Sequence, residues 1–363
     1  MSLIPLIRQV LSPPRRAIKR SLKNKKIRRH QAARRLEASQ AYEQLRTHST
    51  RPELDASTCR KIAEYSADVL GSLDFQPWLR VYALYQGRFV EGWIPDDYYS
   101  MQVLPSLYQH HKPFHHVRTL SKRLFDSDAF PDLAYCVNGK WFTQDYEAIE
   151  GKELLDHIFG ETTEVYLKSE DSGRGNGVQR IGRNDFSRLT ELPDANYVVQ
   201  RPVVQHELFD EIYPRATATL RITTSFFQGE PPRYRASYLR LGYSATTLVQ
   251  SDKSLRCTVT DDEGSLADEA LDESWLPHPR HPDSGFVFEG SQIPFFKDAR
   301  DLCLQLHAKL PHDPIVDWDI GVTQSGKIEI MEWNSGHTDI KFSEATVGPI
   351  FAGCDFGRFQ LGH

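Results

Sequence analysis

A glycine-rich segment is the first part of the sequence whose residue types could do chemistry. Two strand-like runs flank a polar loop in residues 164–181, and the residues of interest are Lys168, Ser172, Gly173, Gly175, Asn176 and Gly177. Glycines let backbone N–H groups approach an anion closely, so such a loop can hold phosphate oxygens, with the lysine and the polar side chains in reach. The same glycines also suit a flexible hairpin tip that binds nothing. The pattern is neither a Walker loop nor a kinase loop.

An acidic segment near the C-terminus is the second candidate. Residues 317–337 read DWDIGVTQSGKIEIMEWNSGH, which predicts a hairpin that turns at 324–326. On a strand Glu332 and Asn334 point to one face, and Asp317 and Asp319 share the same spacing. If the strands pair so that Asp319 lies beside Glu332 and Asn334, three oxygen ligands converge on one point, which suits Mg²⁺ arriving with nucleotide phosphates. The alternative is a set of edge-strand polar residues that face water.

Two arginines lie on strands between these segments. In residues 217–226, TATLRITTSF, Arg221 shares one strand face with three threonines, and Arg240 lies in the next predicted strand. A guanidinium can bind a phosphate or a carboxylate through two hydrogen bonds. Each arginine taken singly could equally form a surface salt bridge.

The elements that must position these residues are strands and helices in mixed order. Alternation predicts strands at 134–137, 164–168, 178–181, 197–201, 217–227, 234–241, 315–322 and 327–332. Helical spacing predicts helices at 55–70, with Asp55 or Ser57 as cap, and at 297–310. Residues 79–90 alternate and predict a short hairpin, whereas the polar run 244–284 predicts a long loop with few regular elements. The mix indicates an α+β protein.

The charge is distributed unevenly along the 363 residues. Residues 1–51 contain 14 Lys or Arg and two acidic residues, whereas the rest of the chain contains 30 basic and 47 acidic residues. The basic part is an N-terminal arm, helical or partly disordered, and its simplest interpretation is a solvated tail. A second interpretation is peripheral contact with an anionic membrane, with apolar residues in 3–11 as a shallow anchor. Nucleic-acid binding is disfavoured, because the arm has a single aromatic residue, Tyr42.

Composition narrows the class of protein. Hydrophobic residues at 39% and charged residues at 26% are globular values, and no apolar run is long enough to span a membrane. Five widely spaced cysteines predict free thiols in a reducing compartment. We therefore expect a cytoplasmic protein. The histidines at 110, 111, 115 and 116 are interpreted as surface or structural residues.

The order of these motifs resembles the sugar-transfer-associated family of the ATP-grasp superfamily over residues 115–345. KSEDSGRGNGV resembles the glycine-rich flap, TLR at 219–221 and LRLG at 239–242 resemble the two arginine strands, and WDIGVT with EWN resembles the magnesium-binding strands. In this resemblance Lys122 and Lys168 are the lysines that contact ATP, and VVQRPVVQH is the hinge that meets adenine and ribose, with Gln200, Arg201, Val203 and His206. Gln200 replaces a hinge glutamate of many relatives, and Ala218 replaces an asparagine.

The resemblance implies two α+β subdomains that clamp a nucleotide. It divides the chain into the arm (1–51), a small α/β module (52–114), a lid subdomain with the flap (115–200) and a core subdomain with the metal site (201–363). It also implies ATP and two Mg²⁺ ions as cofactors, the latter held by Asp319, Glu332 and Asn334, and a catalytic set of Lys168, Arg221 and Arg240.

The activity implied by the resemblance is ADP-forming ligation of a carboxylate, carried by a small molecule or sugar acid, to an amine through an acyl phosphate. The family association places this reaction in cell-surface polysaccharide or small-metabolite synthesis, with the enzyme on the inner membrane face if the arm binds lipid. Two alternatives remain open. One is a phosphotransferase acting on a hydroxyl, and the other is a non-catalytic nucleotide-binding scaffold.

Overall fold

A computed structural model describes residues 31–108, 117–170, 177–185, 195–227, 229–250, 253–336 and 338–354. In these ranges no helix combines the length and the apolar character needed to cross a membrane. The predicted α+β class is confirmed by two antiparallel sheets with helices around them.

The chain begins with a group of helices. They are α1 (31–48), α2 (Ala56–Asp68), α3 (Gln76–Gln86), α4 (Asp96–Tyr98) and α5 (Leu104–Leu107), with a π-helical turn, Tyr99–Val103, joining the last two. The predicted cap of α2 is confirmed, because the Asp55 side chain accepts a hydrogen bond from the backbone N–H of Thr58. The described part of this module contains helices and no strand, so the strand content expected for 52–114 is wrong.

The predicted hairpin at 79–90 is also wrong, because these residues lie mostly in α3. Leu79, Tyr82 and Ala83 are buried at helical spacing, which a short alternating run does not distinguish from a strand. Pro77 in the first turn and the left-handed Gly87 just after the last turn mark the ends of this helix.

The C-terminal part of the expected arm belongs to the folded body. Ala38, Ala41 and Leu45 of α1 are buried in the helical module. Arg35 pairs with Asp74 at 2.8 Å. Residues 1–30, with most of the basic charge, lie outside the described residues.

A five-stranded sheet follows, here called the lid sheet. Its strands, in the order β2-β1-β5-β3-β4, are β1 (Asp132–Val137), β2 (Lys140–Thr143), β3 (Glu164–Ser169), β4 (Val178–Gly182) and β5 (Tyr197–Gln200). Two helices, α6 (Ser121–Phe125) and α7 (Gly151–Phe159), accompany it. Leu154 and Ile158 of α7 pack against Val165 and Leu167, which buries one face of the sheet.

A seven-stranded sheet, here called the core sheet, forms the rest of the molecule. Its order is β10-β9-β8-β7-β6-β11-β12. The strands are β6 (Thr219–Ser225), β7 (Arg233–Leu241), β8 (Leu255–Val259), β9 (Leu266–Leu271), β10 (Pro277–His278), β11 (Ile315–Val322) and β12 (Ile328–Ser335). The helices are α8 (Glu207–Ile212), α9 (Phe296–Ala308) and α10 (Lys341–Thr346). The long loop predicted for 244–284 is therefore wrong, since it contains β8, β9 and β10.

The two faces of the core sheet differ in composition. Leu220, Ile222, Trp318 and Trp333 lie on one face in the main hydrophobic core, against α9. Strand alternation places Arg221 and Asp319 on the opposite face. The lid sheet falls within 115–200 and the core sheet within 201–363, and the division into subdomains remains our proposal.

Candidate nucleotide site between the two sheets

On the face of the core sheet opposite the hydrophobic core, charged side chains of neighbouring strands lie in one row, here called the charged row. Asp319 on β11 pairs with Glu332 on β12 and with Arg221 on β6, and Arg221 in turn pairs with Tyr238 on β7. Cross-strand partners project from the same face of a sheet. Arg240 lies two residues beyond Tyr238 along β7, opposite Thr219, and so belongs to the same face. The row is acidic at the edge strand and basic towards the middle of the sheet.

Asp319 and Arg221 form a buried ion pair with two hydrogen bonds. Arg221 donates from Nε to Oδ1 of Asp319 at 2.7 Å and from Nη2 to Oδ2 at 2.6 Å. Arg240 approaches Oδ2 of the same carboxylate at 3.6 Å. Burial alone would raise the pKa of Asp319, but the guanidinium of Arg221 lowers it below its ordinary value. Both groups are therefore charged at neutral pH.

Arg240 is the second buried guanidinium on this face of the core sheet. Burial lowers the pKa of Arg240, and the nearby guanidinium of Arg221 lowers it further. Asp319 opposes this shift but shares its charge with Arg221. The Glu332 carboxylate opposes it as well, so Arg240 interacts with acidic side chains of both β11 and β12.

Asp317 lies beside the row and is almost fully buried. It accepts a hydrogen bond from Oγ1 of Thr223 at 2.7 Å, and its cross-strand partner is Asn334. Burial raises the pKa of Asp317 to about 6, against the opposing effect of Arg221.

Lys168 brings the lid sheet onto this face. Its Nζ donates to the backbone carbonyl of Met331 at 3.1 Å, next to Glu332. Gln200, on the neighbouring lid strand β5, donates to the same carbonyl at 3.3 Å and to Oδ1 of Asp132 at 2.7 Å. Burial lowers the pKa of Lys168, while the Glu332 carboxylate opposes this shift. The two sheets thus meet at Met331, with charged side chains of both close together.

Arg118 is a residue of this site that the sequence analysis missed. It lies in the 3-10 turn Arg118–Leu120, just before α6. Its Nη2 donates to Oε1 of Glu332 at 2.6 Å and its Nη1 to the carbonyl of Ser169 at 3.3 Å, so it joins the core sheet to β3. No local motif marks Arg118, because its partner Glu332 is more than two hundred residues away in the chain.

Lys122 occupies a different position from the other basic residues. Its Nζ lies 3.3 Å from both Asp128 and Asp145, beside the lid sheet. Burial lowers the pKa of Lys122, but its hydrogen bonds to these carboxylates raise it above the ordinary value overall.

The hinge residues lie where the lid sheet joins the core. Arg201 forms an ion pair with the buried Glu329. Val203 packs so closely on Gly321 that a Cβ there would lie 2.8 Å from its Cγ1, so only glycine permits this contact. His206 caps α8, since its Nδ1 accepts from the backbone N–H of Leu208. Beside the hinge lies an open cavity of about 490 Å³ lined by Arg201, Val204, Thr323, Gln324, Ser325, Lys327 and Glu329.

Of the predicted flap residues, Gly177 is described. Its carbonyl accepts a hydrogen bond from the backbone N–H of Ser169 at 3.1 Å, which closes the hairpin of β3 and β4. Ser172, Gly173, Gly175 and Asn176 lie outside the described residues.

The predicted metal ligands are arranged as neighbours on two strands. Asp319 and Glu332 are cross-strand partners, and Asn334 lies two residues along β12 from Glu332. Within the described ranges, no three or more His, Cys, Asp and Glu side chains gather as a metal cluster. Two carboxylates and an amide nevertheless fit Mg²⁺, which takes few protein oxygens and completes its shell with waters and phosphates.

The family comparison agrees with the fold. Residues 180–348 match the family model described as sugar-transfer associated ATP-grasp. The predicted resemblance to that family and the ATP-grasp fold class are therefore confirmed, with the match covering both arginine strands and the strands that carry Asp319 and Glu332. No curated protein matches the chain.

Solved structures of ATP-grasp type are similar at low identity. The D-alanine–D-alanine ligase from Coxiella burnetii is 13% identical over 65% of this chain and 55% of its own, with a TM-score of 0.37. The 2-oxoglutarate carboxylase biotin carboxylase domain from Hydrogenobacter thermophilus, in complex with MgADP and bicarbonate, is 9% identical over 68% of this chain and 44% of its own, with a TM-score of 0.40. The chain thus spans about half of the length of these structures.

Proposed function

We propose that this protein is an ATP-dependent, ADP-forming carboxylate–amine ligase that works through an acyl phosphate. The observation that carries the proposal is the contact of Lys168, from the lid sheet, with Met331 on the core sheet, directly beside Glu332 and the Asp319–Arg221 pair. A cation from one sheet and carboxylates from the other lie close together where the two sheets meet, as a nucleotide clamp requires. The family match over residues 180–348 supports the same interpretation.

In this proposal the nucleotide lies along the junction of the two sheets. The base contacts the hinge through Gln200, Arg201 and Val203, and the ribose lies near His206. The phosphates contact Lys168 and the flap residues Ser172, Gly173, Gly175, Asn176 and Gly177. We assign both Lys122 and Arg118 to the phosphates. Arg118 is given the larger role, because it lies beside Glu332, whereas Lys122 is paired with Asp128 and Asp145.

Two Mg²⁺ ions accompany the triphosphate in this proposal, held by Asp319, Glu332 and Asn334. When bound, they neutralise phosphate charge during phosphoryl transfer. Asp319 contacts Arg221 and Glu332 contacts Arg118. The negative charge of each carboxylate would therefore be shared between its arginine and the ions.

The chemistry assigned to the row is positioning and charge stabilisation. Arg221 contacts the transferring phosphoryl group, and Arg240 orients the substrate carboxylate, whose oxygen attacks the γ-phosphorus as the bond to ADP breaks. The amine then displaces phosphate from the acyl carbon. No protein nucleophile is needed, because the substrate carboxylate itself is the attacking group.

The cellular setting is a further part of the proposal. Residues 1–30 contain ten Lys or Arg and no acidic residue, which supports peripheral contact of a cytoplasmic enzyme with an anionic inner membrane face. The family description supports a place in polysaccharide or small-metabolite assembly.

The test is an ADP-release screen over amino acids and uronic acids in the presence of hydroxylamine, with and without Mg²⁺. We expect Mg²⁺-dependent ADP release and a hydroxamate with at least one carboxylate. Glu332→Gln should abolish ADP release while its melting temperature stays near that of the unaltered protein. ADP release without hydroxamate would indicate phosphoryl transfer to a hydroxyl instead, and unchanged turnover of Glu332→Gln would remove the metal assignment.

A matched pair of variants tests the phosphate contacts. Arg118→Ala should raise the KM for ATP more than Lys122→Ala, because only Arg118 lies beside the charged row. An equal or larger effect at Lys122 would return the main phosphate role to that lysine.

A further inference from the structure

A carboxylate that the proposed mechanism does not use lies beside the charged row. Asp339 follows β12 and precedes α10, five residues after Asn334. Its backbone N–H donates to Oδ2 of Asp317 at 3.2 Å. Because Asp317 lies opposite Asn334 on the neighbouring strand, this bond fixes Asp339 next to the row.

One oxygen of Asp339 is buried without a hydrogen-bond partner among the described residues, and this is Oδ1. The other oxygen lies 3.9 Å from Nζ of Lys341, which itself bonds Glu37 at 2.6 Å. The side chain keeps about a third of its surface exposed, at 36%. An unpaired carboxylate oxygen is costly in a fold, so its retention beside a reactive centre indicates a function.

The surrounding charges keep Asp339 ionised. Burial alone would raise its pKa, but Lys341, Arg256, Arg221 and Arg34 lower it below the ordinary value. Three of these cations also have a carboxylate partner of their own; the pairs are Lys341–Glu37, Arg221–Asp319 and Arg34–Asp96. Asp339 is therefore an anion beside Asp317 and the charged row, and one of its oxygens has no hydrogen-bond partner among the described residues.

We infer that Asp339 binds the ammonium group of the amine substrate and so selects amines that are protonated at neutral pH. This inference rests on the proposed ligase function. A carboxylate oxygen is the chemical complement of an ammonium group, and a charge-assisted hydrogen bond orients the nitrogen. Arg221 and Arg240 would hold the acyl phosphate on the same side of the sheet.

The step that follows is balanced as an acyl transfer. The bound ammonium loses one proton to solvent, and its nitrogen attacks the acyl carbon. The bond between that carbon and the phosphate oxygen breaks, and the electron pair stays with phosphate. The second proton lost from nitrogen ends on the phosphate, which leaves an amide and hydrogen phosphate.

Hydroxylamine provides the discriminating test, because it is largely uncharged at mildly alkaline pH and needs no ammonium anchor. With the carboxylate found in the ADP-release screen, the full-length protein and Asp339→Asn are compared with hydroxylamine and with a panel of protonated amines, namely the protein amino acids and glucosamine. For the best amine, we expect Asp339→Asn to reduce kcat/KM by roughly 10- to 100-fold, mainly through KM. Hydroxamate formation should stay close to that of the unaltered protein, which also shows that the variant is folded.

Two further variants serve as controls. Asp268→Asn changes an exposed carboxylate on β9 and should leave both reactions unchanged. Asp339→Glu keeps the charge and should recover part of the amine reaction.

Three results would overturn the inference. If Asp339→Asn loses the same share of kcat/KM with hydroxylamine and with the amine, Asp339 is a structural residue. If the variant reacts with both nucleophiles as fast as the unaltered protein does, Asp339 does not bind the amine. If the unaltered protein releases no ADP and forms no hydroxamate with any carboxylate, the ligase proposal itself fails and Asp339 has no amine to bind.

Discussion

The two faces of the core sheet are built from the same strands but follow different physical rules. On one face Leu220, Ile222 and Trp318 are buried against α9 and gain stability from the removal of apolar surface from water. On the other face Arg221 and Asp319 are buried almost as completely, yet they lose hydration that their mutual attraction only partly restores. A hydrophobic replacement of that pair would often be at least as stable, so its presence points to chemistry.

The largest expected effect comes from breaking the ion pair. Arg221→Met removes both hydrogen bonds that the buried Asp319 carboxylate receives from Arg221 and leaves only the longer contact with Arg240, which should lower the free energy of unfolding by about 3–5 kcal/mol and abolish ADP release. Urea denaturation and the ADP assay measure the two losses separately. The double variant Arg221→Met with Asp319→Leu should recover stability and stay inactive. A single variant as stable as the parent would contradict this account of the charged face.

The matched substitution on the apolar face should separate stability from activity. Ile222→Ala, one residue away and pointing to the opposite side, should lower the free energy of unfolding by about 2–5 kcal/mol, because it opens a cavity in the core. The KM for ATP, measured where the variant is still folded, should not change. A shift in KM at Ile222 would show that the two faces are not independent.

Titratable residues on the two faces should change the free energy of unfolding in opposite directions as pH rises. The larger change is expected on the apolar face. His307 lies on α9, fully buried, and burial lowers its pKa from 6.5 to about 4. The unfolded chain binds more protons between these values, so stability rises with pH over this window by roughly 3 kcal/mol. His307→Gln should remove this rise from the pH profile of the unfolding free energy. A profile unchanged by the substitution would contradict the burial of a neutral imidazole.

Asp317, beside the charged row, should give the opposite slope and the smallest effect. Its folded pKa of about 6 exceeds the ordinary value of 3.8, so the folded protein binds more protons between them. Stability therefore falls by roughly 2–3 kcal/mol as pH rises through this window and is constant above it. The difference in unfolding free energy between the parent and Asp317→Asn, followed from pH 3.8 to pH 6, measures this fall in stability. A difference that rises with pH would mean that Asp317 is stabilised as an anion.

The sequence alone predicts the elements whose periodicity is long and clear. The strand predicted at 315–322 is β11 to the residue, and the predicted contact of Asp319 with Glu332 is the register of β11 and β12. In contrast, β8 and β9 are short and lie among Asp-rich turns, so the hydrophobic alternation is too brief to reveal them.

The sequence does not reveal some residues of the site, and the reason is different. Arg118 and Asp132 acquire their roles from partners on other elements, Glu332 and Gln200, and no local spacing encodes those contacts. Asp339 likewise lies in an irregular segment. Periodicity identifies faces of strands and helices, whereas contacts between distant segments depend on how the two sheets pack.

The meeting of the lid with β12 has a consequence beyond catalysis. β12 is the last strand of its sheet, and its outer backbone groups would otherwise be open to pairing with another chain. Here the carbonyl of Met331 accepts from Lys168, and the N–H of Ile330 donates to Ala129. The clamp thus also shields a strand that would favour self-association, and a truncated chain lacking residues 115–200 should aggregate through it.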